Sequence, residues 1–174
     1  MTEAETRKKN QKSRRQGARF EAKLDKAFAW YRKQQIAVIT KTPEPVRNLG
    51  KLGNGGMFKA VYTAKAQPDY KGVVKGGRAV LFEAKSTAND RIDQSRVTDE
   101  QIRYMEDCAW LGAKCFILVY FAETERVYRI PLNTWKHMKE IYGRKYLKES
   151  DIKDLECPQT DGKLIIFPES KGAK

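Results

Sequence analysis

The run Lys114 to Phe121 (KCFILVYF) is apolar almost throughout, and a strand of that composition has to be covered on both faces. A sheet with two covered faces needs helices to cover it, so the chain is expected to fold as an α/β domain. A first covering helix is visible near the start. Phe20, Leu24, Ala27, Phe28 and Tyr31 recur at i, i+4, i+7, i+8 and i+11, a single helical stripe that predicts a helix over about 17 to 34. A second helix is expected from Thr98 to Trp110, opened by a capping box of Thr98 with Gln101 and closed by Gly112.

The remaining elements are strands and turns. Ile36 to Thr40 is β-branched and runs into Thr42-Pro43-Glu44-Pro45, a strand closed by proline. Gly50, Gly53, Gly55 and Gly56 break any regular element before Met57 to Thr63 resumes alternation, which suggests a protruding hairpin or flap, a stalk inserted at 46–67. Gly72 to Lys75 and Arg78 to Lys85 read as a β-hairpin around a two-residue Gly76-Gly77 turn. Glu125 to Ile130 pairs with the apolar strand, Asn133 caps a helix to about Tyr142, and Leu164 to Phe167 is a last short strand. Residues 1–15 carry no apolar side chain larger than Ala after Met1 and are expected as a disordered basic arm, leaving one domain over 16–170.

With 35 Lys and Arg against 22 Asp and Glu, the net charge is +13, well above the value of about 2 to 8 that solubility needs. The excess implies a polyanionic partner. Its spread from Arg7 to Lys174 favours nucleic acid over a membrane, which would select one amphipathic helix. Arg14, Arg15, Arg19, Arg47, Lys51, Lys59 and Lys71 are the candidate phosphate contacts. No apolar run reaches bilayer length and no apolar leader is seen, so a cytoplasmic protein of a bacterial cell, chromosomal or phage-encoded, is expected. Three cysteines without CxxC spacing argue against a zinc site and a disulfide framework, and the lone His137 is expected to be structural or exposed.

The chemistry gathers around Pro68-Asp69 and Glu83-Ala84-Lys85, with thirteen residues between Asp69 and Glu83. On a strand Glu83 and Lys85 share a face while Ala84 points into the core, and the hairpin brings Asp69 back beside Glu83. Two carboxylates with an ammonium suit a Mg²⁺ ion, a hard cation held by one or two carboxylates plus substrate phosphate. The lysine can then orient water and offset charge on the phosphate.

This pattern resembles the PD-(D/E)xK nucleases. With Gly17-Ala18-Arg19-Phe20-Glu21, Lys41-Thr42-Pro43-Glu44-Pro45, Asp69-Tyr70-Lys71-Gly72, Phe82-Glu83-Ala84-Lys85 and Gln101 in order, the chain resembles the RecU family of Holliday-junction resolvases of Gram-positive bacteria and their phages. Pro68 and Glu100 depart from it, standing where the family has a hydroxyl residue and a histidine. The resemblance implies a restriction-endonuclease-like mixed sheet flanked by helices. It implies a metal held by Asp69, Glu83, Glu21 and the main-chain carbonyl of Ala84, with Mn²⁺ substituting for Mg²⁺. Lys85 would place the water and Gln101 would support the site. It also implies a homodimer whose stalks, with Phe58, Val61 and Tyr62 at their base, enter a four-way junction cut by paired symmetric nicks that leave 5′-phosphate and 3′-hydroxyl ends. A duplex, flap or repair nuclease of the same fold, and a non-catalytic DNA-binding recombination accessory protein, remain alternatives. On bland readings Glu21 is a solvated residue, Gln101 only the cap partner of Thr98, and Glu83 with Lys85 a surface ion pair.

Overall fold

A computed structural model describes residues 3–43, 46–52, 57–62 and 67–167. In chain order the elements are α1 (Glu3–Lys33), β1 (Ala37–Lys41), β2 (Val46–Leu52), β3 (Met57–Tyr62), β4 (Tyr70–Val74), β5 (Arg78–Thr87), β6 (Arg91–Asp93), α2 (Asp99–Trp110), β7 (Lys114–Phe121), β8 (Arg126–Pro131), α3 (Leu132–Lys136), α4 (Met138–Tyr142), β9 (Tyr146–Lys148), β10 (Gln159–Thr160) and β11 (Lys163–Leu164). The central sheet has five strands in the order β1-β4-β5-β7-β8. Only β5 and β7 are parallel within it. A parallel pair needs a crossover, and α2 lies on it.

The apolar strand β7 feeds two cores, as its composition demands. Phe116, Leu118 and Tyr120 join Val80 and Phe82 beneath the α1 stripe of Phe20, Leu24, Ala27, Phe28 and Tyr31, all buried. Ile117, Val119 and Phe121 face the other way, onto Met105 of α2, Trp135 and Met138. On the α1 face, strand register stacks three rings across adjacent strands. Tyr70 lies 5.1 Å from Phe82 at 13°, and Phe82 lies 4.9 Å from Phe116 at 7°. Phe82, fully buried at the centre of this column directly before Glu83, is expected to cost about 3–5 kcal/mol when replaced by Ala. Urea unfolding will show this as a lowered midpoint at unchanged slope; a loss below about 1 kcal/mol would mean the column is not the sheet's anchor.

Several sequence expectations change in detail. Helix α1 begins at Glu3 rather than near Gly17, because the Glu, Ala, Lys, Arg and Gln of its first turns are strong helix formers. The described side chains before Gln16 are exposed, so that stretch is helical without joining a core. The β4–β5 turn has three residues, since Val74 pairs with Arg78. The Lys75 N–H turns away to the Ile36 carbonyl at 2.7 Å, and Gly76 and Gly77 take φ of 89° and 80°. Glycine is also required at position 72, where a Cβ would lie 2.1 Å from the Val38 carbonyl oxygen of β1.

The hairpin expected after Pro43 is present, and its first strand runs through Gly50, where the glycines suggested a break. β2 pairs antiparallel with β3, with a register shift between Asn48 and Gly50 that leaves Leu49 unpaired, and such a bulge accommodates glycine without ending the ladder. Glu44, Pro45 and residues 53–56 and 63–66 of the insertion lie outside the described residues. The helix expected from Asn133 to Tyr142 is divided at His137 into α3 and α4 and starts at Leu132. Asn133 is therefore not its cap; its carbonyl instead receives the His137 N–H at 3.1 Å. The last strand is shorter than expected and pairs with β10. Cys108, Cys115 and Cys157 are free thiols, as foreseen.

Candidate active site

Beyond the first residue of β4, β5 continues alone on that side and its polar groups turn to Asp69. Tyr70 pairs with Phe82, so the next residue outward, Asp69, stands beside Glu83. The Asp69 N–H donates to Glu83 Oε2 at 2.9 Å, and the Ala84 N–H donates to Asp69 Oδ2 at 3.2 Å. In an extended strand the N–H and C=O of one residue point the same way, so the Ala84 carbonyl also faces the Asp69 side. Lys85 Nζ donates to Glu83 Oε1 at 2.6 Å. From the start of α2, Gln101 Nε2 donates to the same oxygen at 2.9 Å.

Gln101 fills both roles considered for it. Its Oε1 accepts from the Thr98 N–H at 3.1 Å while Thr98 Oγ1 accepts from the Gln101 N–H at 3.3 Å, which is a complete capping box. Its amide nitrogen remains for Glu83. The amide is thus fixed from both ends, and the helix start is tied to the carboxylate.

Glu83 is 0% exposed and Lys85 21% exposed at the side chain, which rules out a surface ion pair. Burial raises the Glu83 pKa above the ordinary carboxylate range; the Lys85 ammonium opposes this, and the Asp69 carboxylate adds to it. A carboxyl whose folded pKa is raised contributes stability below its unfolded pKa, and that contribution is lost as pH rises through the folded value. The melting temperature of metal-free protein, relative to a Glu83→Gln variant, will therefore fall as pH rises above the ordinary carboxylate value of about 4. A divalent cation bound by the ionised form would reduce the fall. A difference that grows with pH would contradict this assignment.

Glu21 approaches from the α1 face. Its carboxylate pairs with Lys41 at 3.0 Å, and with Asp69, Ala84 and Ser86 it lines a cavity of about 120 Å³. Among the described residues no three His, Cys, Asp or Glu side chains form a single metal cluster, so Glu21 is not gathered into one ligand set with Asp69 and Glu83. Two adjoining carboxylates and a main-chain carbonyl on one side still form a hard oxygen donor set suited to a divalent cation. Lys41, Ser86 and Tyr70 are neighbours of the site that sequence reasoning missed. Tyr70 and Ser86 adjoin the acidic motifs but lie on the opposite face of their strands, where alternation alone suggests packing.

The candidate DNA contacts are distributed more widely. Arg14 and Arg15 are exposed on α1, where Arg19 donates to Glu125. Arg47 and Lys59 are exposed on the β2–β3 hairpin, and Lys71 on β4 donates to Gln67 at 3.3 Å. The Lys51 side chain lies outside the described set. His137, half-buried, bonds through Nδ1 to the Asn133 carbonyl at 2.9 Å, within its own helical segment.

Comparison with known proteins identifies several similar chains. A Holliday junction resolvase RecU of Bacillus subtilis is 28% identical over 180 aligned positions, covering 91% of this chain and 84% of its own. One of Geobacillus kaustophilus is 30% identical over 144, covering 78% and 72%. One of Pediococcus pentosaceus is 28% identical over 139, covering 75% and 69%. Among solved structures, the Holliday junction resolvase Hjc of Archaeoglobus fulgidus aligns with a TM-score of 0.45 at 12% identity, over 78% of this chain and 91% of that one. The family profile described as Recombination protein U matches residues 15–166, from the first helix through Asp69, Glu83, Lys85 and Gln101 to the last strand, and the chain belongs to that family.

Proposed function

We propose that this protein is a Mg²⁺-dependent endonuclease that resolves four-way DNA junctions by paired symmetric nicks, leaving 5′-phosphate and 3′-hydroxyl ends. The observation that carries the reading is the convergence of Asp69, Glu83, the Ala84 main chain and Lys85 at one opened strand edge. A divalent cation bound there supplies positive charge to the scissile phosphate and lowers the pKa of water, with Mn²⁺ expected to substitute. The protein's own groups then have distinct tasks. Asp69 and Glu83 hold the cation with the Ala84 carbonyl, Gln101 fixes the Glu83 carboxylate, and Lys85 presents an ammonium where phosphate charge builds up. The relatives' name, Holliday junction resolvase, supports branched DNA as the substrate, and the +13 charge supports a long phosphate track. An accessory protein that had lost its catalysis would not be expected to keep this acidic and basic constellation intact.

A junction has two-fold symmetry, and matched incisions call for two sites, so the working unit is a homodimer. Val46, Leu49, Phe58 and Val61 of the β2–β3 hairpin are all exposed, an apolar surface that a second copy can cover. No helix among the described residues is long and apolar enough to cross a membrane, and a role on bacterial DNA fits the expected cytoplasmic location. The test replaces 47–66 with a short Gly/Ser link and compares labelled junction, linear duplex and flap substrates. The deletion will stay folded, because the described side chains of the hairpin are exposed, yet lose its preference for junctions. Undiminished junction selectivity would favour the duplex or flap alternative over the stalk geometry.

A further inference from the structure

We infer that the Tyr70 hydroxyl is a positioning group for the cation site, holding ordered water against the carboxylates of Glu21 and Asp69; this rests on the metal-dependent reading above. Strand alternation puts Tyr70 on the α1 face, opposite Glu83 and Lys85, at the wall of the cavity of about 120 Å³ that also takes in Glu21, Lys41, Asp69 and Ser86. The ring cannot swing away. Phe82 stacks on it at 5.1 Å, and Phe28 meets it edge-on at 5.3 Å and 61°.

Tyr70 is 2% exposed, and its hydroxyl is buried without a hydrogen-bond partner in the protein. A buried hydroxyl left unmatched is costly, and where it persists beside a polar cavity the usual partner is water. A cavity of this size has room for a few waters, each with a share of liquid volume of about 30 Å³. A phenol is protonated at neutral pH, so the group can donate to such a water. Mg²⁺ keeps several of its waters when bound to protein. A hydroxyl fixed by two aromatic rings, one residue from Asp69, is suited to order that outer shell. Groups at this remove from a metal typically change its affinity by about 10- to 100-fold.

The experiment measures Mn²⁺ binding to the full-length protein without DNA, by electron paramagnetic resonance of the free ion, for wild type, Tyr70→Phe and Glu83→Gln. Melting temperatures in EDTA are taken in parallel. Tyr70→Phe is expected to bind Mn²⁺ about tenfold more weakly than wild type, with a melting temperature in EDTA unchanged or raised, because the lost oxygen had no protein partner. Affinity within twofold of wild type would overturn the inference and leave the metal-dependent nuclease standing. A lowered melting temperature in EDTA would also overturn it, by showing a structural role. If wild type and Glu83→Gln both failed to bind Mn²⁺, the metal reading itself would fall, and this inference with it.

Discussion

Glu83→Gln will leave a folded protein that binds a four-way junction within a few-fold of wild type and cuts it at least about 1000-fold more slowly, as expected on losing a preorganised charged element of a site. Three hydrogen bonds to this side chain come from donors. Oε1 accepts from Lys85 and Gln101, and Oε2 accepts from the Asp69 N–H. An amide removes the charge that would hold a cation and turns its own N–H₂ toward one of those donors, so metal placement and local geometry suffer together. Binding survives because the candidate phosphate contacts lie on α1, β4 and the β2–β3 hairpin, away from Glu83. Single-turnover cleavage and gel-shift titration check both halves. Cleavage at the wild-type rate would remove Glu83 from the site.

Lys85→Ala will reduce cleavage by about 100- to 1000-fold, and extra Mg²⁺ will not restore it. The ammonium sits 2.6 Å from Glu83 Oε1 and is the most exposed part of the pair, so it is placed to reach an incoming phosphate. A lysine is no metal ligand, and raising the metal concentration cannot supply its charge at that position. Its removal also leaves the buried Glu83 without its cationic neighbour, which pushes the carboxyl pKa further up and makes cation binding more dependent on high pH. Recovery of the full rate at high Mg²⁺ would show that Lys85 serves only the charge balance of Glu83.

The parts of this fold legible in the sequence were those fixed by local periodicity. The stripe from Phe20 to Tyr31, the run Lys114 to Phe121 and the Thr98–Gln101 box each determine an element by spacing, and all three lie where the spacing puts them. Alternation along β5 also separated Glu83 and Lys85 from Ala84, and that separation made the site readable. What escaped depends on pairing between distant segments. The course of β2 through Gly50 escaped because a bulge lets that glycine sit within a ladder that composition argues against. The Glu21–Lys41 ion pair joins α1 to β1 across the fold, and no local pattern announces it. Gln101 was read as having a choice between cap and site because a sequence cannot show that its oxygen and its nitrogen have different partners. The unpartnered Tyr70 hydroxyl is likewise a property of its surroundings, invisible in a motif where Tyr70 reads as a core aromatic.

The most direct test of the central claim is to label each strand of a four-way junction in turn and incubate it with the protein in Mg²⁺, in Mn²⁺ and in EDTA. The account predicts two nicks in opposed strands of like polarity, ligatable ends carrying 5′-phosphate and 3′-hydroxyl, activity in either metal and none in EDTA. Nicks of undiminished rate in EDTA, or no cleavage of the junction in either metal, would contradict it.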